Sequence, residues 1–120
     1  MRTSELASRF GFRTVQAAAQ DAELKAAYTS DLLSDVMGNA PADSVLITIQ
    51  AHKNAVAVAT LAGIRAIVIC NDRPLPSDML EAAAAEDIAV YVTGKTQFEV
   101  SGLLWPELGG ADKGGTRLAP

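Results

Sequence analysis

The chain has 120 residues, of which 49% are hydrophobic and 20% are charged, and its formal net charge is −4. This is the composition of one globular domain that is large enough to bury a core without disulfides or a structural metal. The acidic balance argues against duplex nucleic acid or an anionic membrane as the main partner, because both bind a basic surface. We therefore expect no nucleic-acid partner and no membrane partner.

Cysteine and histidine each occur once, as Cys70 and His52. A single cysteine forms no internal disulfide, and one Cys with one His does not complete a Cys/His zinc site. We predict no metal and no cofactor. The first residues lack the apolar core of a signal peptide, and the longest apolar runs are too short to cross a bilayer. The expected location is the cytoplasm.

The first third of the chain carries short elements. A helix is predicted to begin after Thr3 or Ser4 and to end at Gly11. Residues 12–15 and 24–28 have β character. A second helix is predicted over residues 32–37, with Ser30 and Asp31 as N-caps and Gly38 as its end. Its apolar face comprises Leu32, Leu33, Val36 and Met37.

The centre of the chain alternates apolar runs with helical patterns. The runs are 45–49, 66–70 and 88–92, and the helical patterns are 54–61, 76–85 and 96–104, with a capping box from Thr96 to Glu99. Short runs rich in β-branched residues are typical of strands that are covered on both faces, as in a parallel sheet. The pattern predicts a three-layer α/β/α fold with a mostly parallel sheet over residues 1–105. The glycine-rich segment 106–120 is predicted to be a flexible tail.

Ligands of open parallel sheets bind beyond the carboxyl ends of the strands, where loops lead into helix N-termini. Three predicted loops meet at that edge and contain Lys53, Arg73 and Lys95, which favours a small anionic ligand. The candidate ligand-binding residues are Gln50, His52, Lys53, Asn54, Asn71, Arg73, Lys95 and Thr96. The alternative is that these polar residues cap helices on a solvent-exposed edge.

No catalytic constellation is evident in the sequence. His52 is able to act as an acid or base, with Cys70 or Asp72 assisting, but a structural His and a buried Cys explain the same residues. Gly94-Lys95-Thr96 resembles the end of a P-loop, yet the complete phosphate-binding motifs G-x-x-x-x-G-K-[ST] and G-x-G-x-x-G are missing. We therefore assign no catalytic residue.

Two runs of residues resemble DRTGG domains: AYTSDLLSDVMGNA at 27–40 and ITIQAHKNAVAVA at 47–59, continued by Gly63-Ile64 and Phe98-Glu99. The resemblance covers about residues 2–105. It implies a fold related to the N-terminal domain of HPr kinase/phosphatase, and it is greatest to small free-standing members encoded near iron-only hydrogenases. Where the family name has Asp-Arg-Thr this chain has His52-Lys53-Asn54, and where it has Gly-Gly this chain has Asn71-Asp72. The location of the family's site therefore carries over, but its signature residues do not.

Together these features favour a non-catalytic regulatory or assembly module that binds a small anionic, nucleotide-like ligand and is linked to hydrogenase or redox metabolism. The alternatives are a small enzyme that uses His52 and a purely structural partner of a redox enzyme complex. A homodimer is expected, because the helix at 55–62 is apolar almost all round and requires cover on more than one side. A hydrogenase-related protein is the other expected partner.

Overall fold

Strands and helices alternate along residues 1–109, the part of the chain that the computed structural model describes. The elements are α1 (Glu5–Ser8), β1 (Arg13–Gln16), β2 (Ala26–Thr29), α2 (Leu33–Asn39), β3 (Ser44–Thr48), α3 (Lys53–Ala62), β4 (Ala66–Ile69), α4 (Ser77–Ala85), β5 (Ala89–Val92), α5 (Gln97–Leu104) and a π-helical segment, Trp105–Gly109. None of these helices combines the length and the apolar character that a bilayer crossing requires.

The five strands form one sheet in the order β1-β5-β4-β3-β2. The strands β2 to β5 are parallel, and β1 lies antiparallel to β5 at one edge. Each parallel strand neighbours its successor in the chain. Because β-α-β connections are right-handed, the crossover helices α2, α3 and α4 all lie on the same face. The helices α1 and α5 cover the other face, so the predicted three-layer, mostly parallel fold is confirmed.

The central strands are continuous apolar runs because both of their faces are buried. Leu46, Ile67 and Val90 pack toward α2, α3 and α4. Their neighbours Val45 and Val68 pack toward α1 and α5. All of these side chains are fully buried. The strands β3, β4 and β5 lie within one residue of the ranges that the sequence predicts.

The helix α2 differs from its prediction in its end and in its buried face. It continues through Gly38 to Asn39 and ends where Ala40 becomes extended before Pro41, a position at which proline disfavours helical backbone. Val36 is buried, whereas Leu32 and Met37 are 61% and 43% exposed. The predicted apolar face is wrong in extent, because α2 lies at the edge of its layer and, within residues 1–109, packs mainly against one helix, α3.

The helix α3 ends at Gly63, as predicted, with a left-handed C-cap (φ 77°). It lies between α2 and α4 and contacts both of these helices. Ala55, Val56 and Ala59 are buried, whereas Leu61 is 74% exposed. Part of the apolar surface of α3 is therefore covered within the chain.

The folded domain extends beyond the predicted boundary at residue 105. Leu108 is only 3% exposed and packs in the core beneath α1 and α5. Glu107 forms an ion pair with Arg9, and hydrogen bonding by that guanidinium lowers the pKa of the Glu107 carboxyl. The boundary is therefore at Gly109 or later, and the rest of the predicted tail, 110–120, lies outside the described residues.

Replacing Leu108 with Ala tests this boundary. Since the side chain is buried in the core, we expect Leu108→Ala to lower the free energy of unfolding by about 2–4 kcal/mol in urea denaturation. The matched control is Leu61→Ala, because Leu61 is 74% exposed and its truncation should cost less than about 0.5 kcal/mol. Equal midpoints for the two variants would place residue 108 outside the folded domain.

Candidate functional site

The loops at the carboxyl ends of the parallel strands are joined in two pairs. The backbone N–H of Asn71 donates to the carbonyl of Lys95 (3.0 Å), and that of Asp72 donates to the carbonyl of Thr93 (2.9 Å). These bonds hold the β4–α4 loop against the β5–α5 loop. On the other half of the edge, Gln50 Nε2 donates to the carbonyl of Asp31 (2.7 Å) and so fixes the β3–α3 loop to the β2–α2 loop.

The β4–α4 loop begins with a reverse turn that has two left-handed residues. Asn71 has φ 63° and Asp72 has φ 50°, and Arg73 N–H donates to the Cys70 carbonyl (3.5 Å). Two consecutive positive φ angles define a type I′ turn, which favours Gly, Asn and Asp. The Asp72 carboxylate lies against Gly94, where a Cβ would be only 2.8 Å from Asp72 Oδ2. The absence of a side chain at Gly94 therefore lets the carboxylate lie close to the β5–α5 loop.

His52 is the exposed N-cap of α3. Its Nδ1 accepts a hydrogen bond from the backbone N–H of Asn54 (3.0 Å). A neutral imidazole that accepts at Nδ1 carries its proton on Nε2, so one donor remains for a ligand or partner. The structural role expected for His52 as an alternative is therefore present, and any functional role has to use Nε2.

Several other candidate residues also serve the fold. The Thr96 hydroxyl accepts from the Glu99 N–H (3.2 Å), and Glu99 Oε1 accepts from the Thr96 N–H (3.0 Å), which forms the predicted capping box. The backbone N–H and the hydroxyl of Thr96, which both donate to the Glu99 carboxylate, lower the pKa of that carboxyl. Lys53 Nζ lies 4.0 Å from Asp78 Oδ2 in an exposed ion pair. Gln50, His52 and Lys53, on the half of the edge around β2 and β3, and Thr96, on the other half, are thus engaged by the fold itself.

The other half of the edge carries cations that have no such partner. Within residues 1–109, the side chains of Arg73 and Lys95 form no hydrogen bond and no ion pair. Lys95 does contribute to the field that lowers the pKa of Glu99. Both side chains are exposed. They lie in adjacent loops that the Asn71–Lys95 backbone bond holds together.

Arg13 is a further cation at this edge, and the sequence interpretation missed it. Because β1 is antiparallel to β5, its first residue pairs with the last residue of β5, Val92. Arg13 is exposed and, within the described part of the chain, it too makes no hydrogen bond or ion pair. No local signal could have revealed this position, because it depends on a pairing between residues that are distant in sequence.

Cys70 lies at the end of β4 and is fully buried. Burial raises the pKa of its thiol to about 11, so the group is a protonated thiol at neutral pH. The thiolate is the nucleophilic form of cysteine. Cys70 therefore acts as a small apolar core residue.

Two grooves lie apart from the group formed by Arg13, Arg73 and Lys95. One, of about 470 Å³, is bordered by β2, α5 and the π-helical segment. The other, of about 500 Å³, lies between α3 and α4, and it includes Lys53 and Asn54 from the candidate residues. Neither groove is lined by Arg13, Arg73 or Lys95. The cationic edge is separate from both grooves.

The chain matches no protein-family model, and no curated protein matches it. The DRTGG resemblance therefore stays a prediction, and the geometry of the site carries the functional argument.

Substitutions at His52 measure how much its N-cap hydrogen bond contributes to stability. We expect His52→Ala to lower the free energy of unfolding by about 1 kcal/mol, because the Asn54 amide loses its acceptor. His52→Asn should restore most of that loss, since Asn is a good N-cap. Urea denaturation measures both variants. Equal destabilisation by Ala and Asn would show that the cap contributes nothing.

The left-handed turn gives a second stability test. Asn71→Gly should leave the free energy of unfolding unchanged or slightly raised, because glycine adopts φ 63° without strain. Asn71→Val should lower it by about 1–2 kcal/mol, since a β-branched residue is disfavoured in that region. Thermal or urea unfolding of the two variants checks the difference, and a Val variant as stable as the Gly variant would contradict it.

Proposed function

We propose that this domain is a non-catalytic regulatory or assembly module of the DRTGG kind, which self-associates and binds a small anionic, nucleotide-like ligand at the carboxyl edge of its sheet. The observation that carries the ligand proposal is the group formed by Arg13, Arg73 and Lys95. These three cations meet at one edge of a chain whose net charge is −4, and none of them forms an ion pair within residues 1–109.

The spacing of the strands fits a ligand with a phosphate or carboxylate group. Arg13, Lys95 and Arg73 belong to the neighbouring strands β1, β5 and β4 or to the loops that follow them. Neighbouring strands are about 4.8 Å apart, so the three backbone positions span about 10 Å across the sheet. Long Arg and Lys side chains reach across that distance and form charge-assisted hydrogen bonds to an anion.

Three carboxylates, Asp72, Asp78 and Glu99, lie in the same half of the edge. Asp78 is paired with Lys53, Glu99 is engaged in the capping box of α5, and the Asp72 carboxylate lies against Gly94. With the Asp78–Lys53 pair set aside as neutral, three cations face two acids and the cationic group retains a positive excess. This local excess supports an anionic ligand over a cationic one.

The turn at Asn71-Asp72 supports the family proposal. The resemblance aligns these residues with consecutive glycines, and both have positive φ. Glycine is the residue best suited to such a backbone, and Asn and Asp are the side chains that tolerate it. The same resemblance is our ground for proposing a role linked to hydrogenase or redox metabolism, with a hydrogenase-related protein as a partner.

The chemistry of His52 and Cys70 supports a module without catalysis of its own. The imidazole caps α3 through Nδ1, and the Cys70 thiol is buried and protonated. A nucleophile needs an adjacent base or a lowered pKa, and burial moves the pKa of Cys70 in the opposite direction.

The ligand proposal is tested by titrating the ¹⁵N-labelled full chain with AMP and with inorganic pyrophosphate, followed by NMR. We expect shifts confined to the amides around Arg13, Asn71–Arg73 and Thr93–Thr96, with affinity that falls as salt rises. The double variant Arg73→Gln/Lys95→Gln should weaken binding by at least about tenfold, because each charge-assisted contact contributes about 1.5–3 kcal/mol.

The matched control is Lys25→Gln, which removes one exposed cation at the opposite, amino end of β2 and should leave the affinity unchanged. An absence of shifts with both anions up to about 10 mM, a concentration well above that of useful affinity, contradicts the ligand proposal. Shifts that survive the double variant would place the anion elsewhere.

A further inference from the structure

The outward face of α5 is an exposed aromatic surface. Val100 and Leu104 point into the core, and a helical period of 3.6 residues places Gly102 on the opposite side. Phe98 and Trp105 flank Gly102 on that side, one turn before it and one turn after it. Their side chains are 87% and 58% exposed. We call Phe98, Gly102 and Trp105 the α5 face.

Nothing within residues 1–109 explains the glycine at the centre of this face. Gly102 lies in the interior of α5 and is not among the residues with positive φ. A Cβ at this position would meet no atom of the described residues within 4 Å. Alanine would stabilise the helix more, because glycine is a poor helix former. A small residue here is useful only if something else approaches the helix closely.

The groove bordered by β2 and α5 lies beside the same face. It has a volume of about 470 Å³, and its lining includes Thr29, Ser101 and Trp105. Trp105 borders the groove near the C-terminal end of α5, whereas Phe98 protrudes near the N-terminal end. The surface thus carries a protruding aromatic side chain at one end and a largely apolar groove at the other.

We infer that the α5 face is the self-association surface, where α5 packs antiparallel against α5 of a second copy of this chain. Gly102 lies at the crossing point, and Phe98 of each copy enters the groove beside the partner's Trp105. This inference rests on the self-association in the proposed function and specifies where it occurs.

The positions of these residues favour a second copy over another partner. Phe98 lies four residues before Gly102 and Trp105 lies three after it, so a twofold axis near Gly102 brings each aromatic residue opposite the other. Along the helix the two are about 10 Å apart, since the rise is 1.5 Å per residue. A symmetric interface therefore contains this contact twice, with Phe98 of each copy in the groove beside Trp105 of the other.

Charge and chemistry agree with this arrangement. Antiparallel helices place the positive N-terminal end of each α5 near the negative C-terminal end of the other. Lys95, which precedes α5, then lies near the negative end of the partner's α5 and of the π-helical segment that continues it. Aromatic residues in desolvated pockets dominate the energetics of protein interfaces, and glycine lets two helix axes approach to about 8 Å.

Self-association of the full chain is measured by sedimentation velocity over about 1–200 µM, a range that brackets the dissociation constants of weak homodimers. We expect a dimer whose dissociation constant rises at least tenfold in Phe98→Ala, and complete dissociation in Gly102→Leu. Phe98 is exposed, so its truncation leaves the monomer folded. The emission of Trp105, the only tryptophan of the chain, should shift to the blue as the concentration rises.

Gly102→Ala should stabilise the monomer and weaken the dimer. The melting temperature of the dilute monomer should rise by about 3 °C, because alanine is the better helix former. The dissociation constant should also rise, because a methyl group is added at the crossing point. A melting temperature that rises while the dissociation constant stays unchanged would overturn the role of Gly102 and, with it, the inferred interface.

The control is Leu61→Asp in the groove between α3 and α4, on the opposite face of the sheet. It should leave the dimer intact. If Leu61→Asp dissociates the dimer while Phe98→Ala and Gly102→Leu leave it intact, the chain self-associates through another surface, and the inferred surface is overturned. A wild-type monomer over the whole range, with constant Trp105 emission, overturns both. Because Lys95 belongs to the cationic group and also lies near the inferred interface, the anion is titrated into Phe98→Ala as well, so that a failure of the interface and a failure of the ligand proposal are distinguished.

Discussion

The parallel ladder of β2 to β5 requires apolar cover on both faces, and the chain supplies the two covers from different places. Right-handed crossovers place α2, α3 and α4 on one face. The second face is left for the two ends of the described chain. The helix α1, the helix α5 and the π-helical segment cover it, joined by the Arg9–Glu107 ion pair. Tyr91, buried between them, donates its hydroxyl proton to the carbonyl of Thr3 (2.9 Å).

The sequence predicts well the elements whose signals are local. The strands β3 to β5 are short apolar runs because both their faces are buried, and Gly63 ends α3 by adopting a left-handed conformation that glycine favours. The prediction fails where an element borders the edge of the fold. The apolar pattern of α2 predicts a wide buried face, but only Val36 of that pattern is fully buried, because within residues 1–109 α2 packs mainly against α3.

The location of the candidate site follows from the fold class, because the carboxyl ends of parallel strands meet at one edge. The roles of its residues do not follow from it. Gln50, His52 and Thr96 look like ligand donors in the sequence, yet His52 and Thr96 cap their own helices and Gln50 is bonded to the neighbouring β2–α2 loop. Arg13 reaches the site only through the pairing of β1 with β5. The exposure of Phe98 and Trp105 likewise depends on which face of α5 turns toward the sheet.

The antiparallel pairing of β1 with β5 also governs the order in which the chain assembles. The strands β2 to β5 pair with their sequence neighbours, so each pairing closes a much shorter loop than the pairing of β1 with β5. By contrast, Arg13 pairs with Val92. During synthesis β1 is therefore made before the other strands, but it pairs only after β5 has been made. The face of the sheet that α1 and α5 cover stays incomplete until α5 follows. The first strand in the sequence is thus among the last to join the sheet.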